Sequence, residues 1–220
     1  MSAHASDPGA EGAQPVPPLS RRKFLQGAGG MATSGVLAQG LLAAPRAEPS
    51  AAGASGEVER ISGEIEISLD VNGAASSMKV EPRTTLLAAL RDRATPPLTG
   101  SKLVCDRGQC GACTVMVDGR PAYACMLLAV DLRGRKIRTI EGLGAPGALS
   151  PLQDSFWKHD ASMCGFCTPG FVMAIQACLE RKPRATLDEI KEGCAGNTCR
   201  CGTQPQIFAA ALEIASARVK

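Results

Sequence analysis

Aromatic side chains are almost missing from this sequence: one Trp, one Tyr and five Phe make up 3% of 220 residues. A chain so poor in rings builds small aliphatic cores, and groups bound by the chain then help to hold them. Histidine is scarcer still. His4 falls in the N-terminal stretch and His159 stands alone in a Lys158-His159-Asp160 run, which excludes a Rieske-type site needing a histidine pair. Excess charge is missing too: 24 Lys and Arg against 21 Asp and Glu leave +3, no footprint for a nucleic-acid partner. The length allows one or two domains.

Cysteine, by contrast, is abundant, with ten residues. In an exported protein that density would suggest disulfides, but tight clustering into C-x-C and C-x2-C pairs argues for metal ligation. Cys105, Cys110, Cys113 and Cys125 follow C-x4-C-x2-C with a fourth further on, the spacing of plant-type 2Fe-2S ferredoxins. Four thiolates around two ferric ions leave an anionic group, and something must offset that charge. Gly108, Gly111 and Ala112 carry little or no side chain, so the loop can turn sharply and bring backbone N–H groups to the sulfurs. Zinc fingers and ribbons usually pair two short knuckles, whereas here three cysteines share one loop.

Cys164 with Cys167, and Cys199 with Cys201, form a second set, each pair just before a predicted helix. Thr168-Pro169 and Thr203 with Pro205 suit helix starts, so two positive helix ends would face the thiolates. Spacing alone leaves zinc open here. A thioredoxin-like redox pair would need a βαβ setting, which this half lacks, and Thr168 after Cys167 excludes covalent haem. Cys178 falls within an apolar helical run and Cys194 in a loop; neither is assigned as a ligand.

Along the chain, residues 1–20 are rich in Ala, Gly, Ser and Pro and read as disordered. Ser20-Arg21-Arg22-Lys23-Phe24-Leu25-Gln26 resembles a twin-arginine export signal, followed by a charge-free stretch over 24–44. Its five glycines make it weakly apolar for a membrane anchor, so residues 1–54 read as a leader with a cleaved signal and the mature chain as lacking a membrane span. That route carries folded proteins, so clusters can be inserted before export to the periplasm.

Alternation of Ile65, Ile67, Leu69 and Val71 predicts a strand, Asn72-Gly73 a hairpin into 76–80, and Thr84 or Thr85 the cap of a helix reaching Arg93. Strands follow at 114–117, after the Asp118-Gly119 turn into Cys125, and at 136–141, giving a mixed sheet with one helix, a β-grasp arrangement. Residues 142–147 fit G-x-G-x-x-G formally, but Pro146 interrupts it and no βαβ unit surrounds it, so 142–149 reads as a linker. Four helices are expected beyond it: from Ser150-Pro151 to about Asp160, from Thr168 to about Arg181, from a Thr186/Glu189 capping box to Gly193, and from about Pro205 to Ala217.

CDRGQCGACTV, CGFCTPG and GNTCRCG, in that order, resemble the small iron–sulfur subunit of the molybdenum hydroxylases, the xanthine oxidase and aldehyde oxidoreductase family. The leader, Arg83 to Leu87 and IEGLG look most like exported bacterial aldehyde oxidoreductases, while CRCGT is also similar to isoquinoline oxidoreductase small subunits. The resemblance implies an α+β chain: a plant-ferredoxin-like domain over 62–141 and a four-helix domain over 150–218. It implies two 2Fe-2S clusters, the outer on Cys105, Cys110, Cys113 and Cys125, the inner on Cys164, Cys167, Cys199 and Cys201. The inner lies nearer the molybdopterin of a large subunit, and the outer delivers electrons to an FAD-binding subunit or a cytochrome. Substrate would be hydroxylated on the large subunit, leaving no catalytic residue on this chain. Met163 stands where relatives often carry a Gln that can contact the pterin.

Overall fold

The computed structural model describes residues 60–217; the expected leader and export signal lie outside them. The alternating run forms β1 (Ile65–Val71), and Asn72 and Gly73, with φ of 56° and 81°, turn the chain into β2 (Ala74–Val80). Thr85 caps α1 (Leu86–Ala88) by accepting a hydrogen bond from the Ala88 N–H. Where the sequence predicts a plain helix to Arg93, residues Ala89–Arg93 widen into a π turn.

Three strands complete the sheet: β3 (Thr114–Val117), β4 (Arg120–Tyr123) and β5 (Lys136–Arg138). Its order is β2-β1-β5-β3-β4, with β1 and β5 parallel and the other neighbours antiparallel. Two strands are shorter than predicted. β4 ends at Tyr123, leaving Cys125 in a 3-10 turn, Ala124–Met126. β5 ends at Arg138 because the Asn72 side chain takes over the pairing: its Oδ1 accepts from the Thr139 N–H at 2.8 Å and its Nδ2 donates to Thr139 Oγ1 at 3.0 Å.

Four helices follow: α2 (Pro151–Lys158), α3 (Thr168–Arg181), α4 (Leu187–Gly193) and α5 (Gln204–Ala217). Capping boxes start α2 at Ser150 with Gln153, and α4 at Thr186 with Glu189. A hydrogen bond from the Lys182 amine, then the Thr186 backbone and hydroxyl, hold the Glu189 carboxyl down to about 2. At α3 the predicted cap is displaced by one residue. Cys167 occupies the cap, and Thr168 is the first helical residue, with its hydroxyl donating to Ser162 Oγ at 3.1 Å.

Leu69, Val80, Leu86, Leu87, Leu90 and Ile137 centre an aliphatic core on the sheet. A second core among the helices gathers Leu152, Phe156, Phe171, Ile175, Leu179 and Ile190. Met116 of β3 packs with Met173 and Ala177 of α3 and joins the two, with Ile140 and Leu143 beside them. Arg138 bonds both carboxylate oxygens of Glu180 across the same boundary, at 2.5 and 2.6 Å. Among the described residues no helix is long and apolar enough to cross a membrane.

Candidate metal centres

The first set of thiols is presented by the loop between α1 and β3 and by the turn after β4. Cys113 and Cys125 are buried and Cys105 and Cys110 half-buried. Left-handed backbone at Asp106 and Gly108 curls the loop so that N–H groups face sulfur: Gly108 donates to Cys125 Sγ at 3.3 Å and Gln109 to Cys105 Sγ at 3.4 Å. The Arg107 backbone N–H, aided by Cys110 and Gln109 and opposed by burial, brings the Cys105 thiol down to about 6. Burial pushes Cys113 up to about 12, with its neighbours Cys125 and Cys110 adding to the rise.

The second set lies at the starts of α3 and α5. Cys199 is buried, Cys167 half-buried, and Cys164 and Cys201 exposed. Cys201 Sγ stands 3.4 Å from Cys164 Sγ. The Phe166 backbone N–H is first in lowering Cys164; the Cys164 backbone pulls Cys201 down, but the Cys164 thiol and burial outweigh it and leave Cys201 raised. Burial pushes Cys167 up to about 12. Burial also raises Cys199, but hydrogen bonds from Thr203, whose hydroxyl lies 3.1 Å from Cys199 Sγ, outweigh it and bring that thiol down to about 7.

The eight thiols therefore fall into couples: Cys105 with Cys110, Cys113 with Cys125, Cys164 with Cys201, and Cys167 with Cys199. Among the described residues no three His, Cys, Asp or Glu side chains close on a single metal ion. Couples of thiols suit a centre of two irons, each with two protein ligands, whereas a structural zinc gathers four donors around one point. Each set joins thiols lowered toward the thiolate, Cys105 in the first and Cys164 and Cys199 in the second, with one that burial raises, Cys113 and Cys167.

Cys178 and Cys194 stand apart from both sets, each 3% exposed in the helical core. The His159 imidazole pairs with Glu213 at 2.9 Å. Of the loop glycines, Gly108 brings its N–H to sulfur, while Gly111 offers its carbonyl, which accepts from Thr114 Oγ1 at 2.6 Å and Asn197 Nδ2 at 3.0 Å. Asn197, Thr198 and Tyr123 escaped the sequence reading, although Gly196-Asn197-Thr198 directly precedes the Cys199/Cys201 pair and offered the signal of a close approach. Tyr123 lies half-buried against the first set, and burial, then the charges of Cys113, Cys110 and Cys125, raise its phenol.

A family described as 2Fe-2S iron-sulfur cluster binding domain matches residues 73–160, and one described as 2Fe-2S binding domain matches residues 139–212. The aldehyde oxidoreductase iron-sulfur-binding subunit PaoA of Escherichia coli (strain K12) is 44% identical over 169 residues, 70% of this chain and 72% of that one. The nicotine 6-hydroxylase small subunit of Paenarthrobacter nicotinovorans is 45% identical over 149 residues, 68% of this chain and 88% of that one. Among solved structures, quinoline 2-oxidoreductase from Pseudomonas putida 86 superposes with a TM-score of 0.67 at 40% identity, covering 72% of this chain and 96% of that one. With thiol couples in two loops, 2Fe-2S domain matches over both and such relatives along most of its length, the chain belongs to the small iron–sulfur subunits of the molybdenum hydroxylases, the electron-transfer members of oxidoreductase complexes.

Proposed function

We propose that this chain is the electron relay of a molybdenum-dependent hydroxylase, with one 2Fe-2S cluster on Cys105, Cys110, Cys113 and Cys125 and another on Cys164, Cys167, Cys199 and Cys201. When bound, the clusters supply one-electron chemistry between molybdopterin on a large subunit and an FAD-binding subunit or cytochrome. The observation that carries the reading is the grouping of eight thiols into couples on two loops that touch where Thr198 N–H donates to the Cys110 carbonyl at 3.0 Å. The chain's own part is to hold the sulfurs, direct N–H groups at them and keep water from Cys113, Cys125 and Cys199. A β-grasp domain over 62–141, a linker over 142–149 and a helical domain over 150–218 complete the arrangement.

The likeness to PaoA favours aldehydes, oxidised to carboxylic acids on the large subunit. The quinoline 2-oxidoreductase and nicotine 6-hydroxylase relatives favour a second reading, an N-heterocycle substrate. Turnover of benzaldehyde against quinoline by the native complex decides between them. The reading includes export, supported by Arg21-Arg22. Replacing both with Lys should hold the iron-loaded chain in the cytoplasm, read by cell fractionation; undiminished periplasmic protein would refute that route.

The test of the relay is low-temperature EPR after dithionite reduction of the complex, with metal analysis on the same sample. Two distinguishable signals, about four irons per chain and co-purifying molybdenum are expected. A single signal, or zinc in place of iron, would overturn the relay.

A further inference from the structure

The two thiol loops meet along a seam from which side chains are missing. A Cβ on Gly111 would fall 2.6 Å from Asn197 Nδ2; one on Gly170 would run into the Gly111 carbonyl, and one on Gly196 into the Tyr123 hydroxyl. Into that space the Asn197 amide reaches across, donating to the Gly111 carbonyl at 3.0 Å and lying 3.4 Å from Thr114 Oγ1. The next residue completes the crossing. Thr198 N–H donates to the Cys110 carbonyl at 3.0 Å. Cys110 belongs to the first thiol set, and Thr198 directly precedes Cys199 of the second.

From Cys110 to Cys199 the connection is thus backbone, one hydrogen bond, and backbone again. Electron tunnelling weakens far less along bonded atoms than across an open van der Waals gap, so one hydrogen bond between ligand residues outweighs many nonbonded contacts nearby. That bond exists only if the two loops keep register, and the Asn197 amide fixes the register on the peptide next to Cys110. A carboxylate of the same shape would face the Gly111 carbonyl oxygen with oxygen and leave that carbonyl without this donor.

We propose that Asn197 is the positioning residue of the path between the two clusters, holding the two thiol loops in the register that the bond from Thr198 N–H to the Cys110 carbonyl requires. The inference rests on the two-cluster reading above. One electron leaves one cluster and enters the other; no covalent bond forms or breaks, and the proton stays on the Thr198 nitrogen.

The test uses the native complex and the variants Asn197→Asp and Asn197→Ser. Iron per chain and the EPR spectrum of each reduced cluster are recorded first, with the magnetic splitting between them as a ruler of their spacing. The rate at which an electron delivered by flash photoreduction equilibrates between the clusters is then measured. The expected result is full iron content, both signals and unchanged splitting, with equilibration slowed several-fold in Asn197→Asp and less in Asn197→Ser, whose hydroxyl can still donate. Equilibration at the unsubstituted rate in Asn197→Asp overturns the proposal. So does loss of iron from both variants, since the amide would then be holding ligands rather than a path. A single cluster signal in the unsubstituted protein would instead overturn the two-cluster reading beneath it.

Discussion

A thiol becomes a ligand here by what surrounds it, and Cys178 shows the opposite surroundings. It sits in the middle of α3, 3% exposed, with its sulfur 3.6 Å from the Glu189 carbonyl. Burial raises it, and burial likewise pushes the nearby Cys194 up to about 12. Neither finds the array of backbone N–H groups that Cys105 has, so both act as small apolar side chains. Cys178→Ala should leave iron per chain unchanged and cost about 1 kcal/mol through the small void it opens. Iron analysis beside a urea denaturation curve checks both, and a fall in iron would make Cys178 a ligand after all.

The elements that could be read from sequence were those whose signals are local. Alternating Ile65 to Val71, the Asn72-Gly73 turn and the Thr186/Glu189 box each need only their neighbours, and each appears where the spacing puts it. The misplaced boundaries answer to distant groups: β5 stops at Arg138 because Asn72 arrives from the turn between β1 and β2, and α1 widens into a π turn that no residue pattern marked. The thiol ligand candidates were legible from spacing, whereas the seam between their loops, set by Gly170, Gly196 and Asn197, depends on contacts between residues far apart in the chain, 86 residues for Asn197 and Gly111. Gly170 in α3 tests which scale wins. Alanine would favour the helix by about 1 kcal/mol on propensity alone. Its Cβ would meet the backbone carbonyl of Gly111, which cannot rotate away, so Gly170→Ala should instead destabilise by about 2 kcal/mol. Thermal unfolding of the iron-loaded protein reads the sign, and a raised midpoint would show that the loop yields.

Over the whole molecule, the large apolar side chains left in water are not scattered. Leu103, Val104, Met126 and Leu128 lie within three residues of Cys105 or Cys125 along the chain, Met163 and Phe166 adjoin Cys164 and Cys167, and Leu149 and Trp157 line one pocket with Thr168 and Pro169 at the start of α3; these are the exposed large hydrophobics among the described residues. Apolar clusters rimmed by polar surface mark sites for other proteins. Trp157, the chain's one tryptophan, is 79% exposed, and covering a side chain of that size is worth roughly 2–3 kcal/mol. On the proposed relay, the partner that delivers electrons to the second thiol set approaches there, since Cys164 and Cys201 are themselves exposed. Trp157→Glu should therefore release the large subunit during size-exclusion chromatography while both EPR signals and iron content persist. Met126→Glu, beside the other set, should keep the large subunit bound and slow reduction of the acceptor instead. If Trp157→Glu leaves the complex intact and Met126→Glu dissociates it, the direction of electron flow through the chain is the reverse of the one proposed.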